Sequence, residues 1–160
     1  MDSTAIIIRQ AQSDSDLDAI RRLFVAYATS LPIDLAYQGF EAELAGLPGA
    51  YAPPNGALLL AHNGEGEGLG CVALRPMPVD GRCEMKRLYV DPDARGLRLG
   101  ERLAQAIIEA ARDAGYRHLC LDTLPSMTRA QALYRRLGFE PIAPYYETPI
   151  EGTVFLGLRL

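Results

Sequence analysis

The 160-residue chain has little of what many catalytic and membrane architectures are built from. It carries only two histidines, His62 and His118, and neither has the partner spacing of a metal site or of a serine–histidine triad. His118 opens a predicted strand and reads as structural. The three cysteines, Cys71, Cys83 and Cys120, are odd in number and each falls in a predicted strand. They read as reduced, buried small hydrophobes, not as disulfides or a nucleophile. Near the start the only apolar run is Ala5 to Ile8, too short for a signal-peptide core, and nothing approaches a membrane span. A cytoplasmic protein with no membrane partner is the expectation. A basic excess is also missing: the net charge is −4 and the pI about 5.2, which argues against a nucleic-acid partner. There is no G-x-x-x-x-G-K-[ST] loop and no G-x-G-x-x-G fingerprint, so neither a nucleotide-hydrolysing P-loop nor a dinucleotide fold is expected.

What is present is the composition of an ordinary globular protein, 49% hydrophobic and 22% charged. A chain of this size buries most of its apolar surface as one unit, so a single domain over residues 1–160 is expected. Residues 5–10 read as a strand. Ser13, Asp14 and Ser15 are helix-capping candidates ahead of Leu17, Ile20, Leu23, Phe24 and Tyr27, which recur at helical spacing until Pro32. A shorter helix is predicted over Tyr37 to Leu47. Three strands follow in hairpin order, at 57–62, 68–75 and 82–90, joined by segments full of Gly, Asn and Pro. A long helix begins near Glu101, with Leu103, Ala106, Ile107, Ala110 and Ala114 on one face, and stops at Gly115. His118 to Leu124 reads as a strand, Thr128 to Leu137 as the last helix, and 153–160 as the closing strand. The order predicts an α/β (α+β) fold: a mixed, mostly antiparallel sheet of six to seven strands with about four helices. The terminal strand offers an edge for pairing in a homodimer.

The most informative stretch is 84–110, where strand, turn and helix follow without a break. Arg95-Gly96-Leu97-Arg98-Leu99-Gly100 leads straight into the long helix. Backbone N–H groups at a helix start lack intrahelical partners, the helix dipole favours an anion there, and glycines permit close approach. The arginines of the chain cluster around 82–102 and 129–136, a local basicity suited to a small anionic ligand. A pyrophosphate held by main chain and arginine is the reading, with an ordinary strand–turn–helix joint as the alternative.

These residues resemble the GNAT superfamily of N-acetyltransferases. The signature Q/R-x-x-G-x-G/A is met by Arg95 and Gly100, while Arg98 stands where the middle glycine is usual. A second element, A-x-x-L-Y-x-x-x-G-F, is matched by Ala130 to Phe139, and Met127 stands where the family often has asparagine. The resemblance implies that acetyl-CoA is the co-substrate and that no metal is needed. It implies a cofactor site made of the strand end Leu88, Tyr89 and Val90 and the loop Arg95, Gly96, Leu97, Arg98, Leu99, Gly100 and Glu101. It also implies that the strand end splays from its neighbour and uses backbone groups to hold the pantetheine arm.

Acetyl transfer to an amine needs a proton acceptor for the amine and a proton donor for the thiolate. Glu84, on the strand leading into the loop, is the candidate base, and a solvent-facing strand glutamate paired with a neighbouring arginine is its alternative reading. Tyr134 is the candidate acid, since a phenol stays protonated at neutral pH; a core tyrosine is the alternative. The resemblance places Asp34, Tyr37, Glu41, Tyr145 and Tyr146 in segments that shape the acceptor site; surface loop residues are their alternative reading. The expected activity is N-acetylation of a primary amine, on a small molecule or a peptide, by direct attack. A non-catalytic acyl-CoA-binding or sensing module of the same fold is the other function consistent with the sequence.

Overall fold

The computed structural model describes residues 5–160. Seven strands form one sheet in the order β1-β2-β3-β4-β5-β7-β6: β1 Ile7–Gln10, β2 Ala57–His62, β3 Gly68–Pro76, β4 Arg82–Val90, β5 His118–Thr123, β6 Glu140–Pro141 and β7 Val154–Arg159. Every neighbouring pair is antiparallel except β4–β5, which is parallel and crosses over through the long helix. The helices are α1 Asp14–Ser30, α2 Phe40–Ala45, α3 Leu99–Asp113 and α4 Thr128–Arg136. No helix among the described residues is long and apolar enough to cross a membrane.

Helices cover both faces of the sheet, so the central strands lose the inside–outside alternation of a one-sided sheet. In β2, Ala57 and Leu59 point into a core with α3, while Leu58 and Leu60 point into a second core with α1 and α2. The first core is closed by Leu99, Leu103 and Ile107 of α3 together with Tyr134 and Phe139. The second holds Ile20, Leu23 and Phe24 of α1 against Phe40 and Tyr51. At Gly70, in β3, a Cβ atom would sit 2.9 Å from the Tyr89 carbonyl oxygen and 2.9 Å from Leu103 Cδ1; α3 packs closely there because glycine leaves the space.

The N-terminus of α1 is fixed by a reciprocal cap. Ser13 Oγ accepts from the Asp16 N–H at 3.1 Å, and Asp16 accepts in return from the Ser13 and Gln12 N–H groups. Arg9 of β1 completes the joint with two 2.8 Å bonds to the same carboxylate.

The structure departs from the sequence reading at several boundaries. The first strand spans Ile7–Gln10 rather than 5–10. The single helix expected over 37–47 is two pieces, a 3-10 turn at Leu35–Gln38 and then α2, because Gly39 adopts φ 71° between them and the backbone cannot continue straight through. Helix α3 starts at Leu99, and its buried face is Leu99, Leu103, Ala104, Ile107, Ile108 and Ala111, rotated from the predicted stripe; Ala114 lies beyond its end. The two-residue strand β6 was not anticipated. The closing strand is internal rather than free: β5 pairs with all of β7 on one side, and β6 covers Leu156 and Gly157 on the other.

One ion pair ties α2 to β4. Arg87, with 2% of its side chain exposed, makes a two-pronged contact with Glu43, Nε to Oε2 at 3.0 Å and Nη2 to Oε1 at 2.8 Å. Its guanidinium also lies 5.3 Å from the ring centre of Phe40. Burial alone would push the Glu43 carboxyl up, but Arg87 more than offsets this and holds it below the usual glutamate range. Removing one partner of such a pair strands a buried charge. Glu43→Ala is therefore expected to cost about 3–5 kcal/mol in urea unfolding, with most of that recovered when Arg87→Met is added to it. Because the folded-state pKa is depressed, the contribution of Glu43 should be complete at neutral pH and fade only as the pH falls below about 4.

Candidate active site

Strands β4 and β5 pair only at their beginnings, Arg82 with His118, Cys83 with Leu119 and Glu84 with Cys120. Beyond this the two part. Met85 to Leu88 on one side and Leu121 to Leu124 on the other line a pocket closed by Tyr27 and Leu31 of α1, by Tyr37 and Gln38 of the 3-10 turn, and by Met127 and Tyr134 of α4. A bulge opens the gap. On β3, Cys71 pairs with Tyr89 and Ala73 with Lys86, so β4 carries one residue more than its partner, and Arg87 takes it up at φ 62°. Such a bulge bends a strand and ends regular pairing.

The loop after β4 continues the site outward. Asp91 caps a 3-10 turn at Pro92–Ala94, accepting from the Asp93 N–H at 2.9 Å. Gly96 then adopts φ 92° and Arg98 φ 55° at the N-cap of α3, and no side chain caps that helix. The first N–H of α3 with a main-chain partner in the helix is that of Arg102, which bonds to the Arg98 carbonyl. Among the described residues the N–H groups of the helix start that precede it lack a partner within the helix. A Cβ built on Gly100 would meet only Val90 Cγ2, at 3.8 Å, so the open space beside this glycine lies outside the protein's own packing. Next to the loop, a surface cleft is lined by Arg98, Glu101, Arg129, Ala132, Leu133 and Arg136, three guanidinium groups against one carboxylate.

Arg98 occupies the left-handed backbone position where the signature has glycine. Its side chain neither fills the loop nor crosses it. It is exposed and bonds to Glu101 at 2.7 Å, and Glu101 in turn accepts from Arg136 at 3.3 Å.

Inside the pocket Tyr134 is buried, at 6% exposure, and packs on Phe139 with ring centres 5.7 Å apart. Burial, with Tyr27 and Asp122 adding to it, pushes its phenol well above the ordinary value, so it keeps its proton. Tyr27, on the opposite wall, is likewise pushed up to about 12, mainly by burial. Thr123, at the end of β5, places a buried hydroxyl oxygen in the pocket wall without a hydrogen-bond partner. A buried unpaired hydroxyl is costly unless something enters to satisfy it.

Glu84 is buried, not solvent-facing. Its Oε1 takes the Arg75 Nε at 2.8 Å and its Oε2 takes the Tyr145 hydroxyl at 2.7 Å, and it does not line the pocket. Tyr146, beside Tyr145 on the segment between β6 and β7, donates to Asp122 Oδ2 at 2.5 Å. Phe155 holds both rings edge-on, with centres 5.1 and 5.5 Å away. Asp122 does line the pocket. Of the other acceptor-site candidates, Tyr37 lines the pocket. Glu41 does not: on α2 it stands one residue after the inward-facing Phe40, so the helical turn carries it to the exposed side. Asp34 spends its carboxylate capping the 3-10 turn, accepting from Ala36 N–H at 2.9 Å.

Sequence reasoning passed over Asp122, Lys86, Gln38 and Thr123. For Lys86 a signal existed, since it is the only lysine among sixteen basic residues of the chain. It is buried on β4, where its Nζ donates to Gln38 Oε1 at 3.1 Å.

The GNAT acetyltransferase family matches residues 17–139 of the chain. An uncharacterized N-acetyltransferase of Schizosaccharomyces pombe is 39% identical over 160 residues, covering 100% of this chain and 98% of its own length. The IAA acetyltransferase of Azospirillum brasilense is 37% identical over 102 residues, 62% of this chain and 66% of that protein. Among solved structures, an acetyltransferase of the GNAT family from Staphylococcus aureus superposes with a TM-score of 0.80 at 20% identity, over 97% of this chain and 99% of that one. A Salmonella typhimurium structure described as holding its cofactor acetyl-CoA gives 0.69 at 20% identity, over 98% and 94%.

The left-handed backbone at Arg98 makes a prediction independent of ligand. An L-residue pays roughly 1–2 kcal/mol there, glycine does not, and an exposed ion pair such as Arg98–Glu101 is worth about 0–1 kcal/mol. Arg98→Gly is expected to leave the melting temperature unchanged or raised, whereas Arg98→Val, β-branched at the same φ, should lower stability by about 1 kcal/mol or more. A melting comparison of the two variants checks this.

Proposed function

This chain belongs to the GNAT family of acetyltransferases and is an N-acetyltransferase; we propose that it moves an acetyl group from acetyl-CoA to a primary amine by direct attack. The observation that carries this reading is the parting of β4 and β5. It opens a pocket with a protonated phenol, Tyr134, and a carboxylate, Asp122, on its walls, and the same β4 runs on into the loop before the uncapped start of α3.

The residues fit the cofactor. The free N–H groups between Gly96 and Glu101 and the guanidinium groups of Arg98, Arg129 and Arg136 suit a pyrophosphate and a further phosphate. The unpartnered Thr123 hydroxyl and the unpaired edge of β4 beyond Glu84 offer polar groups to an amide-bearing arm. When bound, acetyl-CoA supplies an activated acyl group on sulfur. The chain's own part is proton management and position. As the N–C bond forms and the C–S bond breaks, the amine gives up one proton and the sulfur gains one. Tyr134 holds the proton that the sulfur needs. No hydrogen bond among the described residues competes for it.

For the amine's proton we assign Asp122 ahead of Glu84. Asp122 lines the pocket, and among the described residues only its Oδ2 is engaged, by Tyr146, which leaves Oδ1 to accept. Both oxygens of Glu84 are occupied, and Arg75 neutralises it. In this reading Glu84 holds Tyr145, and through the packed Tyr145–Tyr146 pair it keeps the segment above Asp122 in place. The reading of the fold as an acyl-CoA sensor is separated by one experiment: a sensor binds acetyl-CoA and releases no free thiol in the presence of an amine panel.

Acetyl-CoA at a hundred times its dissociation constant should stabilise the protein by about 2.7 kcal/mol, seen as a raised melting temperature. Gly100→Leu should fold but lose most of that shift. No shift in the unaltered protein would remove the cofactor assignment.

Tyr134→Phe keeps the ring and its packing, and turnover is expected to fall by roughly 10²–10⁴-fold with little change in the Michaelis constant for acetyl-CoA. Asp122→Asn should show a defect that shrinks as the pH rises and the amine loses its proton unaided. Glu84→Gln should lose stability more than turnover. The reverse ranking in pH–rate profiles and melts would return the base to Glu84.

A further inference from the structure

Lys86 is a buried cation with an incomplete set of partners. Only 8% of the residue is exposed, and its one hydrogen bond goes to a neutral amide oxygen, Gln38 Oε1. Among the described residues no carboxylate lies within 4 Å of its Nζ. Burial lowers its pKa, and Glu84 and Asp122 pull it back from beyond contact distance. A buried ammonium held by one neutral group is expensive, and proteins keep such groups where something arrives to complete them.

Gln38 extends the arrangement. Because its Oε1 accepts from Lys86, its Nε2 must donate, and it does so to the Tyr37 hydroxyl at 3.0 Å. The Tyr37 oxygen is then an acceptor in that bond, and its own hydrogen is left to point elsewhere. One amide thus orients two donors, the remaining N–H groups of Lys86 and the O–H of Tyr37, and both residues line the same pocket as Asp122 and Tyr134. Asp122 is the mirror case. It is a carboxylate whose one partner among the described residues is a neutral hydroxyl. Lys86 and Asp122 each lie two residues past the last pair of the parallel β4–β5 register, Glu84 with Cys120, and both line the pocket that opens where the strands part. A positive and a negative group, each satisfied only by a neutral partner, flank the place where the amine must enter.

We propose that the acceptor is a zwitterion, an amine that carries a carboxylate as a free amino acid does, with its carboxylate taken by Lys86 and Tyr37 and its ammonium by Asp122. Such a ligand brings no net charge into the site and gives each half-satisfied group its counter-ion. A polypeptide N-terminus lacks the carboxylate, and a simple alkyl amine leaves Lys86 as it stands. The inference rests on the acetyltransferase reading for the identity of the pocket, while the titration that tests it needs no turnover.

The probe pairs are free L-amino acids and their carboxamides, which differ at the carboxylate alone. Each pair is followed by free-thiol release with acetyl-CoA, and by calorimetric titration into the protein saturated with CoA. Charge-assisted hydrogen bonds of this kind should favour the free acid over the amide by about ten- to a hundredfold in KM and in Kd. Lys86→Met, which keeps a buried unbranched side chain, and Tyr37→Phe should each bring that ratio toward one, and their melting temperatures report that both fold. Equal use or binding of acids and amides by the unaltered protein overturns the proposal. So does a ratio that survives both substitutions. A carboxylate preference in titration without thiol release from any probe would uphold the proposed site while refuting acetyl transfer to the amines bound there.

Discussion

The contact between Arg87 and Glu43 holds the active side of the molecule together. Arg87 is the extra residue of the bulge in β4, and its left-handed backbone turns the strand away from β5. Its side chain reaches out of the sheet and clamps α2, through Glu43 and the Phe40 ring. The irregularity that opens the pocket and the contact that roofs it are made by one residue. A hydrophobic residue at 87 could fill the space but could not fix the direction of approach, because a planar fork and a carboxylate meet in few geometries. With α2 fixed, the 3-10 turn before it is fixed as well, and Tyr37 and Gln38 stand over the opening.

The sheet sorts the chemistry by side. Facing α3, β4 and β5 present Cys83, Met85, Leu119 and Leu121, an apolar bed on which α3 and Tyr134 rest. The alternate positions of the same strands are Glu84, Lys86, Cys120 and Asp122, and three of these four are charged. Two-residue periodicity therefore puts the polar machinery on the opposite face from the main core, next to α1 and α2. The loop at 95–100 grows from the end of β4 that the bulge has already redirected. Tyr145 and Tyr146 arrive last in the sequence and tie Glu84 and Asp122 to one packed aromatic cluster with Phe155.

Most of the fold could be read from the chain because its signals are local. The β2, β3 and β4 boundaries followed from apolar runs between Gly- and Pro-rich joints, and Ser13 from its position ahead of a periodic apolar stripe. The loop at 95–100 and the helix carrying Tyr134 were legible for the same reason: each is a contiguous motif. Residues that act by meeting across the sheet were not. Asp122 looked like any strand aspartate, and only the β4–β5 register and the returning Tyr146 give it a place in the pocket. Glu84 was visible as a strand carboxylate, but the residues that occupy it, Arg75 and Tyr145, lie nine positions before it and sixty-one after. Glu41 and Glu43 show the limit most simply. Two positions apart on a short helix, one points to solvent and the other closes the most buried ion pair of the described residues, and nothing in the sequence fixed the rotation of that helix.

The single lysine has a chemical consequence of its own. Fifteen arginines supply the rest of the side-chain positive charge, and a guanidinium stays protonated and does not attack a thioester. The ordinary cost of working with an activated acyl donor is stray acylation of surface lysines, and this protein has none on its surface to modify. The one side-chain amine it retains lines the pocket, where it donates to Gln38. Outside that pocket no lysine offers an ammonium to the reagent, so stray acylation of lysine side chains cannot erode the charge that the arginines carry.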